Sequence, residues 1–309
     1  MTNEALKQWR ESGAEHAFTA AVGTPSEVCL LSNTNNNVWK ASASGASYVV
    51  KEVTDPTVDV ESEARLLSLI NDNKRFRPMI YHQIAPQTGA RIAIYPFLEG
   101  QSLDAIDFRN EPTEVVARWA DQLHESFELI RTAEQVHGFG RTSVGKSPDW
   151  PTWMDFIYWY LDNQATKGPR MAQLRYEVIK SAFDCHAEEI ASCVLEPSLV
   201  CGDVNLRNYI ITPDNNLVCI HSPMLWHGDP AVSYGDAAVH LDSSELGELF
   251  IKRGGFPDSR IHLYAAFSAF AILVYIERFG DEPLEKALCW GGMRPLLTIL
   301  DEHLDKLER

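Results

Sequence analysis

A Gly-Asp pair followed by an asparagine gives this sequence its clearest chemical signal. Asp203 comes after the apolar run Ser198–Cys201 and Gly202, a pattern that predicts a carboxylate on a loop at the end of a strand. Asn208 lies five residues further on, a spacing at which a short loop can return its amide oxygen toward a metal ion. Phosphoryl transfer requires a carboxylate that orients the acceptor hydroxyl and ligands that hold metal ions at the phosphates. We therefore interpret Asp203 as a candidate catalytic carboxylate and Asn208 as a candidate metal ligand.

A lysine and a glutamate in the first hundred residues could supply the cation that this chemistry also needs. Lys51 ends the apolar strand-like run "YVV", and Glu63 lies 12 residues later on a predicted helix. A strand lysine held by a helix glutamate is a standard anchor for the phosphates of a nucleotide. Each residue alone is more often a solvated surface charge, just as a Gly-Asp is often only a turn. The order of the four residues along the chain favours the functional interpretation.

The elements around these residues predict a small strand-rich region followed by a larger helical one. The runs "EVCLLS", "NVWKAS" and "ASYVVKEV" indicate three strands of an antiparallel meander, "VDVESEARLLSLIND" one helix, and "ARIAIYPFLEGQSL" a further strand. From Pro112 onward the apolar spacing is helical, it is interrupted around Asp203, and helices resume from about Asp242. We predict an α+β, two-lobed architecture with a cleft. Its N-terminal lobe, residues 1–97, is a small antiparallel sheet with one helix, and residues 98–309 form a mainly helical lobe.

Composition limits the kinds of partner. The chain has 27 Lys and Arg against 43 Asp and Glu and no basic run, so we expect no binding to nucleic acid. The most apolar helical run, Leu263–Ile276, has 14 residues between charged flanks, which is too short for a membrane span. The polar N-terminus and six cysteines without a paired spacing indicate a cytoplasmic protein with reduced thiols. The oligomeric state stays open.

These motifs together resemble the aminoglycoside phosphotransferase and fructosamine kinase superfamily, which has a protein-kinase-like fold. "CGDVNLRN" resembles the family's His-Gly-Asp-x-x-x-x-Asn loop, with Cys201 in place of the histidine. "NNNVWKAS" resembles its phosphate-covering turn without the glycines, which implies a nucleotide contact for Asn37. "IYPFLEG" is similar to its hinge, which implies an adenine at Tyr95, Phe97 and Leu98. "FGRTSVGKSPDWPTWMDF" is similar to a stretch of fructosamine kinases. The resemblance extends from residue 30 to about residue 257.

The family's metal-binding aspartate has two candidate positions in this chain. Its usual spacing from the loop asparagine and from a following "GDP" leads to His221, and imidazole is a poor ligand for Mg²⁺. Alternatively, "DPAVSYGD" resembles the fructosamine kinase form and would make Asp229 the ligand, at the cost of eight inserted residues, "HSPMLWHG". The spacing favours His221 and the residue identities favour Asp229. We favour the ungapped register.

The resemblance implies an ATP- or GTP-dependent kinase with Mg²⁺ as cofactor. Its acceptor would be a hydroxyl on a small, possibly cationic molecule such as an amino sugar, an aminoglycoside or a glycated amine. The alternative is a catalytically degenerate member that binds a nucleotide or small ligand, because His221 and Cys201 replace expected residues. A helical binding protein without a nucleotide site ranks last.

Overall fold

The computed structural model describes residues 3–33, 36–53, 60–70, 74–85, 88–141, 148–221, 225–280, 283–289 and 294–308. The chain divides into two compact units, Met1–Gly100 and Gln101–Arg309, called unit 1 and unit 2 below. Parts of the motifs around residues 34–35, 142–147 and 222–224 lie outside the described residues.

Unit 1 is built on one antiparallel sheet of five strands in the order β1-β2-β3-β5-β4. The three strands predicted from sequence form the expected meander, since β1 pairs with β2 and β2 with β3. The strands are β1 (Glu27–Asn33), β2 (Asn37–Ala43), β3 (Ala46–Val53), β4 (Tyr81–Ile84) and β5 (Arg91–Pro96), and the helices in the described residues are α1 (Asn3–Glu11), α2 (Ala14–Ala21) and α3 (Val60–Ile70).

Each face of this sheet has its own apolar core because successive side chains along a strand point to opposite sides. One face carries Trp39 and Ile94, which pack with Trp9 and Phe18 from the first two helices. The other face carries Val49, Val53, Ala93 and Tyr95, which pack with Val60 of α3. The prediction of one helix in this region is wrong, because α1 and α2 cover the first face. Both helices are short, and α1 is mostly polar, so neither has a long apolar period that marks it in the sequence.

Unit 2 is mainly helical and has two small sheets, β10-β9-β6 and β7-β11-β8. Its helices are α4 (Thr113–Ala133), α5 (Trp153–Lys167), α6 (Pro169–Met171), α7 (Glu177–Cys193), α8 (Ala231–His240), α9 (Glu245–Gly254), α10 (Asp258–Phe279) and α11 (Leu296–Leu307). A π-helical stretch, Ala172–Tyr176, joins α6 to α7. Its strands are β6 (Gln101–Ser102), β7 (Gly140–Arg141), β8 (Ser198–Cys201), β9 (Tyr209–Ile211), β10 (Leu217–Cys219) and β11 (Leu225–Gly228).

The centre of unit 2 is α10, which packs against α8 and α11. By length and composition α10 could cross a membrane, but 67% of its most apolar stretch is buried, as in the core helix of a globular protein. The helical apolar spacing predicted from Pro112 onward is confirmed in α4, where Val116, Trp119, Leu123 and Phe127 are all buried. The expectation that helices resume only near Asp242 is wrong, because α8 begins at Ala231.

Candidate active site

The loop that follows β8 brings Asp203 and Asn208 together. Asp203 is half-buried at the end of the strand, and a 3₁₀ turn, Leu206–Asn208, returns the chain toward it. The Asn208 amide nitrogen lies 3.4 Å from the carbonyl oxygen of Asp203 and 3.5 Å from its carboxylate. These distances are at the long end for hydrogen bonds, so the carboxylate keeps capacity for another donor. The two residues singled out by their spacing therefore share one small site.

Helix α8 fixes the backbone of this loop from behind. The Ser233 hydroxyl accepts from the amide of Cys201 at 3.1 Å and donates to its carbonyl at 2.9 Å. One turn later, the Asp236 carboxylate accepts a 2.6 Å hydrogen bond from the amide of Val204. Because Ser233 and Asp236 are buried, these bonds are shielded from water. They hold the residues on both sides of Asp203.

Cys201, which replaces the family's histidine, is a buried core thiol at the base of the loop. Burial raises the pKa of its thiol well above the ordinary value, although a hydrogen bond with the backbone of Asp203 opposes this shift. A thiol in this state is neutral and poorly nucleophilic at physiological pH. Its contribution is therefore to packing and to the support of the loop.

The end of β10 lies beside Asn208 and carries His221. Strand β10 pairs with β9, and the amide of Ile220 donates a 2.8 Å hydrogen bond to the carbonyl of Asn208. His221 is the next residue, and its carbonyl accepts from the Cys219 thiol at 3.0 Å. The backbone thus brings position 221 next to the loop asparagine, and its role as the metal position stays a prediction.

Asp229 lies at the opposite end of β8 from Asp203. Strand β11 is antiparallel to β8, with Leu225 opposite Cys201 and Gly228 opposite Ser198. Asp229 therefore follows the residue paired with the start of β8, whereas Asp203 follows its end. Three strand intervals separate those two ends, or roughly 10 Å.

The carboxylate of Asp229 is also fully occupied by protein groups. It is completely buried and forms an ion pair with Arg260, which donates from both Nε and a terminal nitrogen. The Tyr264 hydroxyl and the amide of Ala231 donate to it at 2.8 and 2.9 Å. The sequence-based alternative that makes Asp229 a metal ligand is therefore corrected: this residue anchors the start of α8 to α10.

The glycine before Asp229 has a packing role in the same region. A Cβ at Gly228 would lie 2.3 Å from the ring of Trp153. That ring donates from its indole nitrogen to Tyr264 at 2.8 Å, which in turn holds Asp229. The glycine and aspartate of the "GDP" motif thus belong to a buried network that positions α5, α8 and α10.

Lys51 and Glu63 belong to the face of the unit 1 sheet that α3 covers. Both are buried, at 8% and 6% exposure, which is unusual for charged residues without a specific role. Lys51 is opposite Ala93 in the strand register and lies two residues from both Val49 and Val53. Its side chain therefore shares their face of the sheet, the face that α3 covers. The predicted anchoring of phosphates by this pair stays a prediction.

The side chain of Tyr95 lies on the same face of the sheet. Its neighbours, Glu63 and Arg77, were not predicted from the sequence. Burial, followed by the nearby Glu63 carboxylate, raises the pKa of its hydroxyl well above the ordinary value. The guanidinium of Arg77 lies 4.3 Å from the centre of its ring, a cation–π distance. Tyr95 therefore has a carboxylate near its hydroxyl and a cation over its ring. Arg77 has no sequence motif that would have identified it.

Asn37 does not share that face. It is opposite Glu52 in the β2–β3 register, and its amide donates to the Glu52 carboxylate at 2.8 Å. Since Trp39, two residues later, is buried against α1 and α2, alternation puts Asn37 on that side of the sheet. Asn37 therefore lies on the opposite face from Lys51 and Glu63, and its nucleotide contact stays a prediction.

Phe97 and Leu98 follow β5 and are both half-buried. The amide of Phe97 donates to the carbonyl of Ser47 at 2.9 Å, so this amide already has a partner. The ammonium of Lys40 lies 3.9 Å from the centre of the Phe97 ring. The proposed adenine contact would therefore use other backbone groups of this stretch.

The donors near Asn208 do not fit Mg²⁺ well. Mg²⁺ requires near-octahedral oxygen ligands and is usually held by one or two carboxylates. Here the expected aspartate is replaced by His221, and Asp229 is buried in its own ion pair. Within the described ranges, no group of three or more His, Cys, Asp or Glu could hold a metal ion. We therefore derive no chemical step through a resident Mg²⁺.

Comparisons with solved structures show the fold that this chain shares. Aminoglycoside phosphotransferase APH(4)-Ia, solved with AMP-PNP and hygromycin B, matches with a TM-score of 0.66 at 14% identity over 96% of this chain and 97% of that one. Choline kinase LicA from Streptococcus pneumoniae gives 0.64 at 14% over 97% and 99%, and a proposed fructosamine-3-kinase from Haemophilus somnus 129PT gives 0.62 at 12% over 96% and 97%. The fold is therefore that of the protein-kinase-like small-molecule phosphotransferases.

A match to a family model identifies the family of this chain. Residues 28–220 match the model described as "Phosphotransferase enzyme family", which covers more than half of the sequence. The chain belongs to this phosphotransferase family. No curated protein matches it.

Proposed function

We propose that this protein transfers the terminal phosphoryl group of ATP or GTP to a hydroxyl of a small molecule. The observation that carries the proposal is the loop after β8, in which Asp203 is half-buried, Asn208 turns toward it, and α8 holds the backbone on both sides. Phosphoryl transfer depends mainly on positioning and electrostatic stabilisation, so a rigid loop suits it.

Asp203 would accept a hydrogen bond from the acceptor hydroxyl and orient its oxygen toward the phosphorus. Lys51, with Glu63 beside it, would contact the inner phosphates. The backbone near Tyr95 and Leu98 would receive the base. Each of these roles is inferred from the position of the residue in its sheet or loop and is part of the proposal.

A cationic acceptor is the class we favour. The named ligands and activities of the similar structures include hygromycin B, choline and fructosamine, which differ in size. This chain has a formal net charge of −16, which raises the local concentration of cations near its surface. The acceptor is therefore sought first among amines that carry a hydroxyl.

The test is a transfer assay with a panel of hydroxyl-bearing amines and neutral sugars, with ATP and GTP as donors and Mg²⁺ or Mn²⁺ as the added metal. We expect a phosphorylated product from at least one amine and its loss in Asp203→Ala. Transfer that survives undiminished in Asp203→Ala would contradict the assignment of Asp203.

A second candidate function is nucleotide or ligand binding without catalysis. It is favoured by the burial of Asp229 in an ion pair with Arg260, which leaves His221 at the expected metal position. This candidate predicts that ATP raises the melting temperature equally with and without divalent metal and that no member of the panel is phosphorylated. Metal-dependent stabilisation together with transfer would exclude it.

A further inference from the structure

A chain of buried polar groups runs from the candidate catalytic loop to the C-terminal segment of unit 2. It begins at the amide of Val204, which follows Asp203 and donates to Asp236 at 2.6 Å. Four residues along α8, His240 turns its Nε2 toward the same carboxylate at 3.7 Å. The other ring nitrogen, Nδ1, lies 2.9 Å from the Sγ of Cys289.

The spacing on α8 explains how one helix carries two members of this chain. Residues four apart lie on the same face of a helix, so Asp236 and His240 point in one direction. Asp236 also accepts a hydrogen bond from the Ser268 hydroxyl of α10. All three titratable members are buried, with exposures of 3% for Asp236, 4% for His240 and 2% for Cys289.

Burial raises the pKa of the Asp236 carboxyl, and His240 and the hydrogen bonds from Ser268 and Val204 oppose this shift. An ionised carboxylate in the interior is costly unless donors or an opposite charge stabilise it. Burial alone lowers the pKa of His240, but Asp236 and Cys289 outweigh this effect and raise it to about 10. An imidazolium here has both nitrogens protonated, one facing the carboxylate and the other facing sulfur.

Cys289 is held in place independently of the histidine. The segment before it, Leu284–Lys286, is a 3₁₀ turn, and the amide of Leu296 at the start of α11 donates to the carbonyl of Ala287 at 2.8 Å. The sulfur therefore approaches His240 from a segment tied to α11. It limits rotation of the imidazole and directs Nε2 toward Asp236.

We propose that His240 and Cys289 are positioning residues of the Asp203 loop, acting through Asp236. The chain of contacts from Cys289 to His240 to Asp236 to Val204 keeps the backbone after Asp203 in one conformation. The proposal rests on the proposed function only in calling this loop catalytic.

Amide hydrogen exchange tests the proposal without any need for activity. The readout is the exchange rate of the Val204 amide divided by that of Val218 in β10, which lies in the same unit and outside the chain of contacts. His240→Leu removes the imidazole N–H that faces Asp236 at 3.7 Å, and we expect the ratio to rise by about tenfold, because the carboxylate that holds the Val204 amide then loses its buried polar partner. His240→Gln retains an N–H near the position of Nε2, so its ratio should stay close to that of the wild type. Cys289→Ala should raise the ratio several-fold, and the exposed Cys193→Ala is its matched control.

Two results would overturn the proposal: a Val204 ratio unchanged in both His240→Leu and Cys289→Ala, or an equal rise in His240→Leu and His240→Gln. If His240→Leu does not fold, the comparison of Cys289→Ala, Cys193→Ala and His240→Gln decides in the same way. Failure of the transfer assay would refute the proposed function and leave this exchange result intact, so the two failures are distinguishable.

Discussion

Asp229 and His221 are the two candidates for the metal position, and the structure gives them different surroundings. Asp229 has the right chemistry for a metal but is buried at the far end of β8 against Arg260. His221 has the wrong chemistry for Mg²⁺ but follows the strand that bonds to Asn208. Counting residues from Asn208 leads to a position beside it in the structure because the β9–β10 hairpin connects the two, and its role at a metal stays a prediction. Residue identity misled because an aspartate can equally serve a helix anchor.

Asp229→Asn is expected to damage stability. Removing one partner of a buried ion pair leaves Arg260 uncompensated, which typically costs about 3 to 5 kcal/mol of unfolding free energy. Urea unfolding followed by tryptophan fluorescence measures this cost, and Asp203→Asn, at a half-buried position, is the matched control. An Asp229→Asn variant of wild-type stability that has lost metal-dependent nucleotide binding would contradict our assignment.

His221→Asp should restore an oxygen ligand at the metal position. We expect Mg²⁺ to strengthen nucleotide binding by about tenfold in this variant and to have less effect in the wild type, because Mg²⁺ prefers carboxylate oxygen to imidazole. Calorimetric titration with a non-hydrolysable ATP analogue, with and without Mg²⁺, provides the measurement. The exposed His137→Asp controls for the added negative charge. The same Mg²⁺ dependence in wild type and His221→Asp would count against position 221 as the metal position.

At the scale of elements, predictability followed the length and regularity of the apolar pattern. Helix α4 and the meander β1 to β3 were predicted with nearly the observed bounds, because many buried positions repeat at one period. Helix α8 was missed since it is buried on every side, which removes the alternation of polar and apolar residues. The face on which Asn37 lies could not be predicted, because the direction of a strand side chain depends on register, and register becomes visible only once the partners are known.

The junction of α10 and α11 contains a histidine pair that makes stability depend on pH. The Nδ1 atoms of His262 and His303 lie 2.9 Å apart, so one ring must donate and the other accept. Burial, then His262 and Lys306, lower the pKa of His303 to about 4. The pKa of His262 is lowered as well, by burial and Lys306, while Asp258 opposes the shift.

The sign of this effect follows from proton binding. Between the ordinary pKa of about 6.5 and the folded value of about 4, the unfolded chain holds a proton that the folded chain excludes. Folding stability contributed by the neutral pair is therefore present above about pH 6.5 and is lost as the pH falls toward 4, by on the order of 3 kcal/mol. Urea unfolding across this pH range should show that the unfolding free energy falls less with decreasing pH in His303→Gln than in the wild type. The exposed His16→Gln is the control. If the unfolding free energy changes equally with pH in His303→Gln and in the wild type, the role of the histidine pair is disproved.

At the scale of the whole molecule, Lys51 belongs to unit 1 and Asp203 to unit 2. Their participation in one nucleotide site is a prediction from the order of motifs along the chain. Sequence patterns predict turns and strand ends such as the loop after β8, because these are local properties, whereas the buried ion pair of Asp229 depends on tertiary contacts. The acceptor is less predictable, since it is chosen by side chains brought together from distant helices.

The acidic composition of the whole chain predicts a salt effect on acceptor binding. If the acceptor is cationic, raising ionic strength from about 0.05 to 0.5 M should raise its KM several-fold, because salt screens attraction beyond the Debye length. A neutral hydroxyl acceptor in the same assay is the control. A KM for the cationic acceptor that does not respond to salt would remove the electrostatic argument for this substrate class.

The most direct test of the account is single-turnover transfer of the labelled γ-phosphate of ATP to an acceptor, compared between the wild type and Asp203→Asn at saturating nucleotide. The account predicts labelled acceptor from the wild type and a rate at least about a hundredfold lower in Asp203→Asn, with nucleotide affinity and unfolding free energy unchanged, since the carboxylate orients the attacking hydroxyl. Equal rates in the two proteins would contradict it.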